Sequence, residues 1–189
     1  MSQPSLRPQD VLVLAKLLTY SGDRPPMSQM GAELSISASE VHAALKRLEQ
    51  AHLIANDTAG SRPVLQAVEE FLVHGVKYAF PPKHGGVTRG VPTSYAAAPL
   101  KRMIVASTDL PPVWPHSEGS VRGVSLEPLY RSAPAAALRD PALHELLALI
   151  DAMRDGRARE RKLAEEELYT RIRSQADDRS QPGTARKRR

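Results

Sequence analysis

Ser39, His42, Ala43, Lys46 and Arg47 fall on one outward face if residues 38–51 form a helix. Short side chains at the start of that helix allow close approach to base edges. Lys46 and Arg47, a turn or two later, are placed to reach phosphates or guanine edges. The implied chemistry is reading a nucleic-acid groove, not making or breaking bonds. The same pattern also fits an ordinary two-helix corner with a solvated Lys–Arg pair.

A reading face is useful only if its helix enters at a fixed angle. Ser37 stands where an N-cap belongs, and Glu40 three residues later completes a capping box. Ile36 before the cap and Val41 after it have the spacing of a hydrophobic staple. Met30, Leu34, Ile36, Val41, Ala44, Leu45 and Leu48 give two short helices a shared inward face. Gly31 and Ala32 are small where those helices must approach. Residues 28–54 therefore read as a helix-turn-helix followed by the first strand of a wing, with Ser28 capping the first of the two helices. His52 to Ala55 is expected as that strand, residues 57–60 as a turn, and Arg62 to Gln66 as a returning edge strand that tolerates Pro63. Arg62 near the tip is placed to enter a minor groove, or is a solvated loop arginine.

The remaining chain supplies supports. Residues 8–21 read as a helix with Pro8 in its first turn and Gly22 as its stop, and 66–80 as another, ended by Pro81-Pro82. His74, mid-helix beside Gly75, reads as structural. Residues 81–134 hold nine of the 16 prolines and read as irregular, with short strands possible from Val121 to Glu127 and a helical turn from Tyr95 to Leu100. Trp114, Tyr95 and Tyr130 give that stretch side chains to pack. Residues 141–173 return to helix, with Asp140 as cap and a break at Asp155-Gly156. The last residues, 174–189, read as a disordered basic tail.

The fold class expected is mainly α with a small β wing. It comprises a winged helix-turn-helix domain at 1–80, an irregular Pro/Gly-rich segment at 81–139, C-terminal helices at 140–173 for dimerisation or partner binding, and the tail. The chain has no cysteine, which excludes disulfides and thiolate chemistry. No P-loop, GxGxxG, HExxH or GxSxG occurs. His84 and His116 have no neighbour at ligand spacing, so no metal, cofactor or enzymatic activity is expected. The glycines and cations of KHGGVTRG, Lys83 to Gly90, suit an anion but lack a strand-loop-helix setting and read as a flexible loop. Without a signal-like segment or a long apolar run, a soluble, cytoplasmic protein is expected, nucleoid-associated when bound to DNA.

Charge is unevenly placed. Residues 1–75 carry six basic and eight acidic side chains, net −2, whereas 76–139 carry eight and three, net +5. The basic balance thus lies outside the expected reading unit, although phosphate contacts drive much of DNA affinity.

The run SISASEVHAALKRLEQAHLI resembles the recognition helix and first wing strand of bacterial winged-helix regulators of the MarR-like type, a likeness covering about residues 8–66. It implies a transcriptional regulator, here a dimeric repressor on double-stranded DNA, contacting it through Ser37, Ser39, His42, Ala43, Lys46 and Arg47. The proline-rich middle has no counterpart in that type. Replacing Lys46 and Arg47 together by alanine is expected to abolish specific binding and leave the fold intact. A different reading makes the chain an antitoxin-like or adaptor protein whose residues 81–173 cover a partner protein, with DNA binding autoregulatory or absent.

Overall fold

Every side chain from Asp10 to Leu18 is buried, so the first helix is the centre of the molecule and not an amphipathic cover. The computed structural model describes residues 5–57, 60–104 and 109–180. The first helix, α1 (Pro8–Leu17), has Pro8 in its first turn as expected, but ends short of Gly22. Burial on all sides leaves Asp10 and Lys16 away from water, and each finds an opposite charge on another helix.

Next come α2 (Met27–Leu34) and α3 (Ala38–Gln50). The N-cap of α2 is Pro26, with no side-chain cap, so Ser28 lies inside the first turn instead of capping it. A two-stranded antiparallel hairpin follows, β1 (Ile54–Asp57) with β2 (Gly60–Pro63), in register Ile54↔Pro63 to Asp57↔Gly60. Its strands lie about two residues from where the sequence places them. His52 and Leu53 are spent closing α3: the His52 N–H donates to Glu49 O at 2.9 Å and the Leu53 N–H to Leu48 O at 3.0 Å, with His52 left-handed at φ 57°. At the other end, Val64 is the cap of α4 (Leu65–Glu70). The expected helix over 66–80 is interrupted: α4 and α5 (Val76–Ala79) are joined by a π-helical turn, Phe71–Gly75.

The middle segment is not irregular. All of KHGGVTRG after Lys83 is strand, not loop. β3 (His84–Pro92) pairs antiparallel with β5 (Val121–Leu126) and with β4 (Pro112–Pro115), and β4 runs parallel to β5, so three strands close on themselves. Closure this tight demands bare backbone at crossing points. A Cβ on Gly123 would lie 2.0 Å from Pro111 O. Prolines in all but one of the strands and a bulge between His84 and Val87 erase the period-two pattern that marks a strand in sequence.

Three helices complete the described residues: α6 (Ala133–Arg139), α7 (Pro141–Asp155) and α8 (Ala158–Ser180). Asp140 caps α7, accepting from Leu143 N at 3.1 Å, and the chain breaks at Gly156 as read from sequence. Helix α8 continues past Arg173 into the stretch expected to be disordered, while residues 181–189 lie outside the described residues. Ala164, Leu168 and Ile172 form the buried stripe of α8.

One hydrophobic core runs through α1, α2, α3, the π-helical turn, Trp114, α6, α7 and α8. The first three of the expected segments, 1–80, 81–139 and 140–173, therefore share one interior. The three-stranded unit is pinned to α7 by Asp151, which is 1% exposed and accepts from Trp114 Nε1 at 2.7 Å and Thr93 Oγ1 at 2.8 Å. Arg154 Nη1 meets the same carboxylate at 2.5 Å. Among the described residues no helix is long and apolar enough to cross a membrane.

Candidate nucleic-acid interface

The turn between α2 and α3 is tight because Gly31 lets it be. The Ile36 N–H reaches back to Gly31 O at 2.9 Å, and Ser35 takes the left-handed conformation at φ 55°. A Cβ on Gly31 would lie 2.7 Å from Ile36 O and 3.3 Å from Ala38 N, both backbone atoms that cannot swing aside. Gly31→Ala would gain helix propensity of about 1 kcal/mol but incur an overpacking cost of about 1–3 kcal/mol. A net loss of stability is expected, read as a lower urea midpoint at unchanged slope; a midpoint at or above wild type would refute the close approach.

The capping box forms as read. Ser37 Oγ accepts from Glu40 N at 3.2 Å, and Glu40 Oε2 accepts from Ser37 N at 2.8 Å. Val41 is buried and Ile36 packs against the core, which fits the staple. Two distant side chains brace the same turn. Tyr130 OH donates to Glu40 Oε1 at 3.0 Å, and Arg139 Nη2 donates to Glu33 O at 3.1 Å and Ser35 Oγ at 2.6 Å. Glu40 is held below the ordinary carboxylate range by the Ser37 backbone N–H, the Ser37 and Tyr130 hydroxyls and the nearby charge of Arg131. Behind the turn, Lys16 bridges Glu33 at 2.8 Å and Asp140 at 2.7 Å, tying α1 to α2 and to the start of α7. Burial resists ionisation of Glu33, but hydrogen bonds from Lys16, Tyr20 and Gln29 outweigh it and bring its carboxyl to about 2.

On the outer side of α3, Ser39, His42 and Lys46 are exposed and Ala43 is half-buried, so four of the expected contact residues share one accessible face. Ser37 is exposed, but its hydroxyl is engaged by Glu40 and by Ser39 Oγ at 2.9 Å. Arg62 is exposed on β2, its Nη2 lying 3.2 Å from Asp23 Oδ1 in a solvated pair of the kind that contributes little.

Arg47 is not on that face. It turns inward and grips Asp10 with both arms of its fork, Nε to Oδ2 at 2.8 Å and Nη2 to Oδ1 at 2.6 Å. Asp10 is fully buried and the Arg47 side chain is 13% exposed. The hydrogen bonds to Asp10 raise the arginine's pKa further, so it stays charged. Helical spacing alone places Arg47 at the border of the outer and inner faces, and an unpaired buried carboxylate on α1 decides the side. The double alanine variant expected to spare the fold would therefore break this clamp.

Sequence reasoning missed Tyr130, Arg131 and Arg139. They lie about 90 to 104 residues from the turn they brace, and no local pattern joins them to it. Arg131 is exposed, stacks 5.8 Å over the Tyr130 ring, and adds a cation at the start of α3.

No protein-family model matches the chain, and no curated protein or solved structure matches it.

Proposed function

We propose that the chain is a sequence-specific regulator that binds double-stranded DNA, with α3 in the major groove and the β1–β2 hairpin as the wing of a winged helix. The observation that carries this reading is the braced turn. Gly31, the Ser37–Glu40 box, Tyr130 and Arg139 all fix the entry of one short helix whose outer face is left polar and accessible. Rigid presentation of a helix with small residues at its start and a cation a turn or two later is what groove reading requires. Ser39, His42 and Ala43 would meet base edges, and Lys46 and Arg62 would meet phosphates, with Arg131 beside them at the start of α3. Two copies on one operator would read an inverted repeat. The apolar residues of α7 and α8 are spent in this chain's own core, so such pairing would use other surfaces. Described residues of 81–173 contribute side chains to the same core, which supports reading them as part of this unit before a partner-covering role.

The test is retention of fragments of the source genome at near-physiological salt by wild type and by a His42→Ala/Lys46→Ala variant. Wild type is expected to retain a few discrete sites. The variant should bind them at least about tenfold more weakly, since each lost base contact costs about 1–3 kcal/mol, and its circular dichroism should be unchanged. Equal affinity in the variant, or weak retention of all fragments that vanishes as salt rises, would overturn the reading.

A further inference from the structure

We propose that the cleft between the π-helical turn and α8 is a phosphate-binding site. It encloses about 210 Å³ and is walled by His74 and Lys77 on one side and by Arg161 and Lys162 on the other. Its floor is apolar, formed by the buried Val73 and Met153. Glu165 is the one acidic residue lining it among the described residues. Among the described residues none of the four basic side chains makes an ion pair. Arg161 Nη1 donates to the Gly156 carbonyl, which fixes the guanidinium at the start of α8.

Lys77, Arg161 and Lys162 outnumber the single carboxylate of Glu165 against an apolar floor, and this net positive charge concentrates field in the cleft, which draws anions. The charge favours a phosphate over a carboxylate. Two lysines and an arginine, with a histidine beside them, match a dianion's charge and its several acceptor oxygens. The volume exceeds the roughly 30 Å³ of one water several-fold, leaving room for a phosphate group and the first atoms of its ester. The π-helical turn, an element often found at functional sites, brings His74 to the rim. The site stands independently of what α3 reads.

The experiment titrates the full chain with inorganic phosphate at constant ionic strength, following backbone and imidazole resonances of residues 73–77 by NMR. Saturable shifts at these residues are expected. Lys77→Gln/Lys162→Gln, both side chains outside the core, should weaken binding by about tenfold, and Glu165→Gln should tighten it. Short duplex DNA added to the phosphate complex then separates the sources. Displacement of phosphate assigns the cleft to a DNA backbone phosphate, and co-occupancy assigns it to a small phosphorylated ligand; both support the site. Absence of saturable shifts, or equal affinity in the double variant, would overturn it.

Discussion

Arg47→Ala is expected to destabilise the protein by about 3–5 kcal/mol, the cost of removing one partner from a buried ion pair. Asp10 is fully buried on α1, and both its oxygens are held by the Arg47 fork. The remaining support for that carboxylate is the Arg7 backbone N–H at 2.8 Å. Loss of the guanidinium thus strands a charge in the interior and unties α3 from α1. Arg47→Lys should recover part of the loss, because an ammonium supplies charge without the two-pronged geometry. Lys46→Ala, one residue earlier and exposed, should stay within about 0.5 kcal/mol of wild type. Urea unfolding of the three variants checks the contrast. An Arg47→Ala protein of full stability that fails to bind DNA would return Arg47 to the reading face and dissolve the clamp. The pairing also directs how α3 should be probed: His42 and Lys46 can be removed cleanly, and Arg47 cannot.

Asp151→Ala is expected to cost at least as much, about 3–5 kcal/mol, because it strands three donors at once. Trp114 Nε1, Thr93 Oγ1 and Arg154 Nη1 all converge on this carboxylate, and Arg154 is left with its bond to Phe80 O at 2.8 Å. Burial pushes the carboxyl above the ordinary range, against the pull of Arg154, Thr93 and Trp114. The loss therefore measures stranded partners, not a strongly favourable ion pair. Asp151→Asn should cost less than Asp151→Ala, since an amide oxygen can still accept from the indole. Trp114 is the chain's single tryptophan, so its fluorescence reports this cluster directly. A red-shifted emission at lower denaturant is expected, as the three-stranded unit loses its anchor on α7. An Asp151→Ala variant with wild-type midpoint and emission would show that the anchor carries no weight.

The two clamps share a physical theme. Each places a carboxylate inside the core and pairs it with an arginine, from α3 for Asp10 on α1 and one turn further along α7 for Asp151. Mutual burial of this kind gives little net stability against apolar alternatives, but it penalises any packing that separates the partners. In this chain Asp10 ties α3 to the core, and Asp151 ties the three-stranded unit to it.

Local rules made much of the α2–α3 turn and of α7 legible. Ser37 with Glu40, Ile36 with Val41, Gly31 in the turn, Asp140 with Pro141 and the break at Gly156 act over five residues or fewer, where backbone geometry and side-chain reach leave few options. The stripe of Ser39, His42, Ala43 and Lys46 follows from the helical period once the helix exists. The hairpin was legible in kind but displaced, because His52 and Leu53 could serve either a strand or a helix C-terminus, and closing α3 satisfies carbonyls that would otherwise be orphaned.

What remained hidden depends on partners far along the chain. The three-stranded unit pairs β3 with β5 across an intervening segment, and its prolines and glycines serve closure instead of alternation. Tyr130 and Arg139 reach the turn only after α6 has docked. Arg47 faces inward because the interior holds a carboxylate on α1. From its own order of residues, the chain determined where α3 begins, where α7 begins and stops, and which face of α3 is polar, since those are matters of hydrogen bonds and periodicity within a few residues. The direction of Arg47, the bracing of the turn and the closure of the middle strands were decided only by tertiary structure. There, burial makes an unpaired charge or an unpaired backbone group too costly to leave, so the fold must bring distant partners together.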